Sequence, residues 1–189
     1  MFVVIFEFWV TVQRRGDYLS LATALRGDVD RLDGFLGIER FENVADPEHM
    51  VSLSTWRDEA AIAQWRMFGP HRSAQGQGRA RIFDDYRLRV GEAVESAADV
   101  TVSEGQGLAG DGDLFASIVT PGKMLLLGEG AARGILERRL GVRVIRDYGM
   151  TSANRRRRTN RACRAAIRRA RWRRRWTCSG FPSRRSSGS

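Results

Sequence analysis

Residues 2–10 read Phe2-Val3-Val4-Ile5-Phe6-Glu7-Phe8-Trp9-Val10. The run is rich in β-branched and aromatic residues and predicts a strand. Side chains alternate across a strand. Phe2, Val4, Phe6, Phe8 and Val10 therefore share one face, and Val3, Ile5, Glu7 and Trp9 the other. Both faces are mostly apolar, so both need a cover. Helices can supply one cover. The other has to be a second sheet or a partner subunit. The run has no basic leader, carries Glu7 in its middle and lacks a small-residue cleavage site, so a strand fits better than a signal peptide. No apolar run approaches the roughly 20 residues of a membrane span. The expectation is a soluble, cytoplasmic body that meets no membrane.

Working outward, Asp17 is a candidate helix cap, and Tyr18, Leu21, Ala22, Leu25, Val29 and Leu32 fall at helical spacing. A helix over 17–32 is expected, with Gly27 weakening it and Asp33-Gly34 making the exit turn. Phe35 to Asn43 reads as a second strand, Asp46-Pro47-Glu48 as a turn and His49 to Trp56 as a third strand. Asp58 then caps a short helix bearing Ala61, Ile62 and Trp65. Gly69-Pro70 interrupts it and starts a second helical piece. Ile82 to Val94 reads as a fourth strand. The order β-α-β-β-α-β over residues 1–93 is the ferredoxin-like α+β arrangement, with helices on one face of its sheet.

A second, partial module follows. Phe41, Pro47, Met50 and Leu53 recur as Phe115, Pro121, Met124 and Leu127 at a constant spacing of 74 residues. Leu88-Arg89-Val90 resembles Val142-Arg143-Val144 at a shorter spacing. Residues 94–113 are rich in Gly, Ala and Asp and read as a linker. Residues 114–150 read as strand, strand, helix (about Gly130–Leu140) and strand. This half-module has no clear first strand or first helix. Its expected role is to cover the open sheet face, giving a homodimer or an intramolecular pseudo-dimer.

The formal net charge of +10 invites a nucleic-acid reading. Residues 1–150 hold 18 Lys/Arg against 22 Asp/Glu, whereas residues 151–189 hold 14 Arg and no acid. The body is thus mildly acidic and the excess sits in the tail. Arg155-Arg156-Arg157-Arg158 and Arg173-Arg174-Arg175, with Trp172 and Trp176, fit an arm that neutralises phosphates and stacks bases. The tail also has the composition of GC-rich DNA read out of frame, or of a solvated disordered extension. A nucleic-acid partner is expected only if the tail is native. Both cysteines, Cys163 and Cys178, lie in this tail, so no disulfide or Cys-based zinc site can hold the body.

Residues 1–93 resemble the antibiotic biosynthesis monooxygenase family. The residues that carry the resemblance are Phe2-Val3-Val4-Ile5-Phe6-Glu7-Phe8, Asp33-Gly34-Phe35, Glu39-Arg40-Phe41 and Leu53-Ser54-Thr55-Trp56-Arg57-Asp58-Glu59-Ala60. Trp65, His71-Arg72-Ser73-Ala74-Gln75, Gly78-Arg79 and Ile82 to Val90 complete it. Val144 to Met150 looks like the ending of longer, two-module members. The resemblance implies a dimeric α/β barrel. It also implies oxygenation of an aromatic or polyketide-like small molecule, with O₂ as co-substrate and without flavin or metal. Haem-degrading relatives carry an Asn on the first strand, where this chain has Phe or Glu, which argues against haem.

Such chemistry needs a dry aromatic pocket, a base and a donor for the developing oxyanion. His71 is the candidate base, and Trp65, six residues earlier, a candidate wall. Trp56, Tyr86, Arg72 and Asn43 are candidate substrate-binding residues. Each has a plainer role: the three aromatics as core, His71 in a local backbone contact, Arg72 as a surface charge and Asn43 as a turn residue. His49 is expected on an exposed strand edge. Gly76-Gln77-Gly78 is not a phosphate loop, because no strand precedes it and no Lys-Ser/Thr follows. Two further function classes stay open: a non-catalytic small-molecule-binding or dimerisation module of the same fold, and a nucleic-acid-associated protein led by its tail.

Overall fold

The computed structural model describes residues 1–149, so the arginine-rich tail at 151–189 lies outside the described residues. The first strand, β1 (Phe2–Trp9), pairs antiparallel on both sides, with β3 (His49–Trp56) and β4 (Asp85–Val94). The second strand, β2 (Phe35–Asn43), pairs with β3. Four further strands follow: β5 (Val100–Ala109), β6 (Asp113–Ser117), β7 (Met124–Gly128) and β8 (Arg133–Gly149). The eight strands close into a barrel in the order β1-β3-β2-β6-β7-β5-β8-β4. Every strand comes from one chain. Two seams join the halves, β2 against β6 and β4 against β8.

Several expectations need correction. Residues 94–113 are not a linker throughout, because 100–109 form β5 and supply the first strand that the second half seemed to lack. Gly105 reads like a linker signal, yet it marks close strand approach: a Cβ there would stand 2.0 Å from the Ile135 carbonyl oxygen, beside a register shift. The helix expected over 130–140 is part of β8. Its Ala, Leu, Glu and Arg favour a helix in isolation, but pairing with β5 on one side and β4 on the other overrides that preference. The helix expected over 17–32 is two pieces, α1 (Val12–Ala24) and α2 (Arg26–Asp30). Thr11 rather than Asp17 is the N-cap. The helix therefore starts before Gly16, where a Cβ would meet nothing within 4 Å. The fourth strand begins at Asp85 rather than Ile82, because Gly78–Ile82 continue the preceding helix as a π turn.

The repeat at a spacing of 74 residues is in register. Phe41 pairs with Val51 as Phe115 pairs with Leu125, and both phenylalanines are fully buried inside the barrel. The match of Leu88-Arg89-Val90 to Val142-Arg143-Val144 is out of phase by one residue. Val142 faces the interior, whereas Arg89 rather than Leu88 does so in the first half. Strand order is the same in both halves: β2-β3-β1-β4 and β6-β7-β5-β8. The second half lacks the helices. α3 (Glu59–Met67) and α4 (Gly69–Gln77) connect β3 to β4, whereas only a short loop connects β7 to β8. Asp58 caps α3 by accepting from the Ala61 N–H at 2.9 Å, as expected. Among the described residues no helix is long and apolar enough to cross a membrane.

The barrel interior holds Val3, Ile5, Phe41, Val51, Leu53, Val100, Val102, Phe115, Leu125, Leu127 and Val142. Charges interrupt it at equivalent places. Glu7 accepts from Arg89 Nη2 at 2.5 Å, and His49 Nε2 lies 3.4 Å from its other oxygen. In the second half Glu104 accepts from Arg138 at 2.5 Å, with Lys123 at 3.9 Å. Register makes Glu104 the counterpart of Glu7 and Lys123 that of His49. Burial raises the Glu7 carboxyl pKa, but the His49 ring and the Arg89 charge outweigh it and hold it below the usual 4.5. His49 is therefore buried, not exposed, with its side chain 7% accessible and stacked on Trp9 at 4.2 Å.

The buried charges and one strained turn set stability predictions that urea unfolding can check. Glu7→Leu leaves Arg89 buried without its anion and should cost about 3 kcal/mol in urea unfolding. The double variant Glu7→Leu, Arg89→Met should recover part of that loss. The wild-type chain binds fewer protons at Glu7 than its unfolded form near pH 4.5, so its stability falls as pH drops through that range. The Glu7→Leu variant should lose this acid limb, and an unchanged limb would remove Glu7 as its source. Gly34 sits at φ +86°, where a Cβ would meet that of Ala61 at 2.7 Å. Gly34→Ala should lower stability by about 1–3 kcal/mol in the same assay.

Candidate active site

The outer face of the β4-β1-β3-β2 sheet carries two apolar clusters beneath the helices. One gathers Phe8, Val10, Tyr18, Met50 and Ile82, with Phe6, Phe83 and Tyr86 against it. The other gathers Val29, Trp56 and Ala61, with Phe2, Val4, Phe35 and Trp65 against it. Their separation follows from β3, where buried Ser52 and Ser54 stand between Met50 and Trp56 on the helical face.

Trp65 and His71 are brought together. Phe68-Gly69-Pro70 turns the chain between α3 and α4, and Pro70 starts the second helix. The two rings stack at 4.4 Å, 19° from parallel. His71 Nδ1 lies 2.9 Å from the Trp65 carbonyl oxygen. A carbonyl only accepts, so Nδ1 carries the hydrogen and Nε2 keeps a lone pair. Burial lowers the His71 pKa below the usual 6.5, and the Trp65 carbonyl opposes that shift. The imidazole is thus a neutral acceptor at physiological pH. Trp65 also stacks on Phe68 at 5.5 Å, so its ring is engaged by its neighbours rather than standing open as a wall. Through this stack and its backbone carbonyl, Trp65 positions His71.

Of the other candidates only Trp56 shares a cluster with Trp65, and none is shown in contact with His71. Trp56 is 2% exposed, donates Nε1–H to Ser54 Oγ at 2.9 Å and meets Phe35 edge-on, which makes it core. Tyr86 is half-buried beside Phe6 at 6.0 Å. Arg72 is exposed on α4. Asn43 serves a turn, its Oδ1 accepting from the backbone N–H groups of Ala45 and Asp46 at 2.8 and 3.0 Å. It also borders a cleft of about 460 Å³ at the β2–β6 seam, lined by Arg15, Glu42, Val44, Pro47, Ala116 and Ile118. Two residues on the helical face were not singled out from sequence. Arg40 donates Nε–H to the Tyr18 hydroxyl at 3.1 Å, and Arg40 stands in register with Ser52 of β3. The signal available was a lone basic residue at an alternate position of a strand beneath a helix.

Comparison with known proteins agrees with the sequence resemblance. The model of the antibiotic biosynthesis monooxygenase family matches residues 1–77. A protein of Pyricularia oryzae named jasmonate monooxygenase ABM is 38% identical over 96 residues, which span 51% of this chain and 45% of that relative. The chain thus matches less than half the length of that relative. Similar solved structures include an antibiotic biosynthesis monooxygenase, 21% identical with a TM-score of 0.45, covering 50% of this chain and 99% of the other. Another is a protein of Mycobacterium tuberculosis, 18% identical with a TM-score of 0.46, covering 51% and 98%. Residues 1–77, from β1 to the end of α4 and including the stacked Trp65–His71 pair, carry the antibiotic biosynthesis monooxygenase pattern.

Proposed function

We propose that the chain is a monooxygenase-type oxidoreductase that acts on an aromatic or polyketide-like small molecule in the space between the helices and the sheet. The observation that carries this reading is the neutral His71, held by the Trp65 carbonyl with Nε2 free to accept a proton. Deprotonating a phenol or an anthrone-like methylene makes an anion that can pass an electron to O₂. When the methylene becomes a carbonyl, one oxygen atom enters the product and the other leaves as water. The change from methylene to carbonyl is a four-electron oxidation matched by the four-electron reduction of O₂, and the substrate supplies all four electrons, so this reading calls on neither flavin nor metal. The Pyricularia relative is named for jasmonate, which makes jasmonate a second compound to try beside hydroxylated aromatics.

The closed single-chain barrel supports an intramolecular pseudo-dimer in place of a homodimer. Both seams that a partner's sheet could occupy are filled by β6 and β8.

Oxygen uptake by the purified full chain, measured with an anthrone or a hydroxylated polycyclic aromatic, tests the reading. His71→Ala should slow uptake by about 100-fold or more, the usual effect of removing a general base. The wild-type rate should rise with pH to a plateau, with its midpoint below 6.5, because the proton-free imidazole is the working form. Saturable binding without uptake in any of these compounds would favour the binding-module reading. Uptake unchanged in His71→Ala would remove the histidine from the mechanism.

A further inference from the structure

Among the described residues, the arginines that are at least half-buried nearly all hold a carboxylate. Arg14, Arg15, Arg87, Arg89 and Arg138 each lie within ion-pair distance of one. Arg40 is the exception. It is half-buried on the helical face of β2, and no carboxylate lies within ion-pair distance of it. Glu42, two residues on along the same face, is engaged by Arg15. Arg40 uses Nε on the Tyr18 hydroxyl, and its guanidinium lies 6.0 Å from the centre of that ring. Among the described residues its two Nη groups have no acceptor. Tyr18 is 8% exposed, and its hydroxyl accepts from Arg40 while its own hydrogen has no acceptor among the described residues.

A buried hydroxyl hydrogen and two unused guanidinium nitrogens held side by side form a receptor for a planar anion. We infer that Arg40 and Tyr18 bind the carboxylate of an amphipathic acid, one oxygen on the guanidinium and the other on the phenol. This rests on the proposed helix–sheet space as the substrate site and names the class of compound it takes. The apolar body of the acid has a track to follow. Ser52, Phe6 and Leu88 stand in direct register across the sheet from Arg40. Ser52 and Leu88 belong to neither apolar cluster and Phe6 packs against the first, so this row runs along the margin of that cluster. Three strand spacings give a length of about 14 Å, which suits a body of roughly ten carbons.

The test uses the full chain and two probes of equal length, decanoate and decanamide, followed by tryptophan fluorescence and by calorimetry. Decanoate should bind saturably and more tightly than decanamide. Arg40→Gln should weaken decanoate by about tenfold or more, as expected for the loss of a charge-assisted hydrogen bond, and leave decanamide unchanged. Arg40→Lys, which restores the charge, should recover part of the loss, and Tyr18→Phe should weaken decanoate alone. Thermal unfolding of each variant separates a lost contact from a lost fold. Equal binding of the two probes, no saturable binding of decanoate, or decanoate binding indifferent to Arg40→Gln in a folded protein would each overturn the assignment. Oxygen uptake reads the other question. Acid-selective binding with no uptake from any substrate retains the Arg40 site and defeats the oxygenase. Uptake from aromatic substrates with no carboxylate selectivity does the reverse.

Discussion

A sheet whose central strand is apolar on both faces has to be covered twice, and the rest of this molecule follows from that requirement. Helices cover one face of the first half. The second half has nothing to offer but strands, and strands can cover the other face only as a second sheet. Once β6 pairs with β2 and β8 with β4, neither sheet keeps an edge. Closure therefore solves two problems at once: it buries Val3 and Ile5, and it removes the unpaired backbone groups at both margins.

The interior is not purely apolar. Each half sets a carboxylate between a base at or just before the start of its third strand and an arginine from its fourth, as in Glu7–His49–Arg89 and Glu104–Lys123–Arg138. Such pairs give little net stability, because desolvation offsets most of their attraction. Their value is directional. A strand that slipped by one residue would turn Glu7 toward the helices and leave Arg89 alone in the barrel. Lys123 also reaches across the seam to Glu39 at 2.5 Å, where Ser117 meets the same carboxylate at 2.7 Å. The charges thus fix which register the apolar contacts are made in.

The first half was legible because its signals are local. Alternation set β1, β2 and β3, the Asp58 cap set α3, and Gly69-Pro70 set the break before α4. The second half was legible only where it repeats the first, at Phe115, Pro121 and Met124. Elsewhere its strands are specified by partners distant in sequence. Gly105 and Gly141 look like loop residues until another backbone is laid against them, and 133–149 looks helical until it is flanked on both sides. The site shows the same division. Trp65 and His71 are close in the chain, and their contact could be expected. The Arg40–Tyr18 contact joins β2 to α1 and depends on how the helix lies over the sheet. Glu7 was visible as the only charge in its strand, but its partners His49 and Arg89 come from β3 and β4.

The loss of helices from the second half has a numerical consequence. Two equivalent sheets would offer two equivalent chambers beneath their helices. Among the described residues only the first sheet has such a roof, so the barrel is symmetric in its walls and singular in its chamber. A ligand held beneath those helices, as proposed, would bind once per chain and saturate along a simple hyperbola. With no twin site to couple to, the bare sheet is also released from any need to preserve a chamber. It is held only to its register with the other half, which leaves its outward-facing side chains the part of the body freest to change.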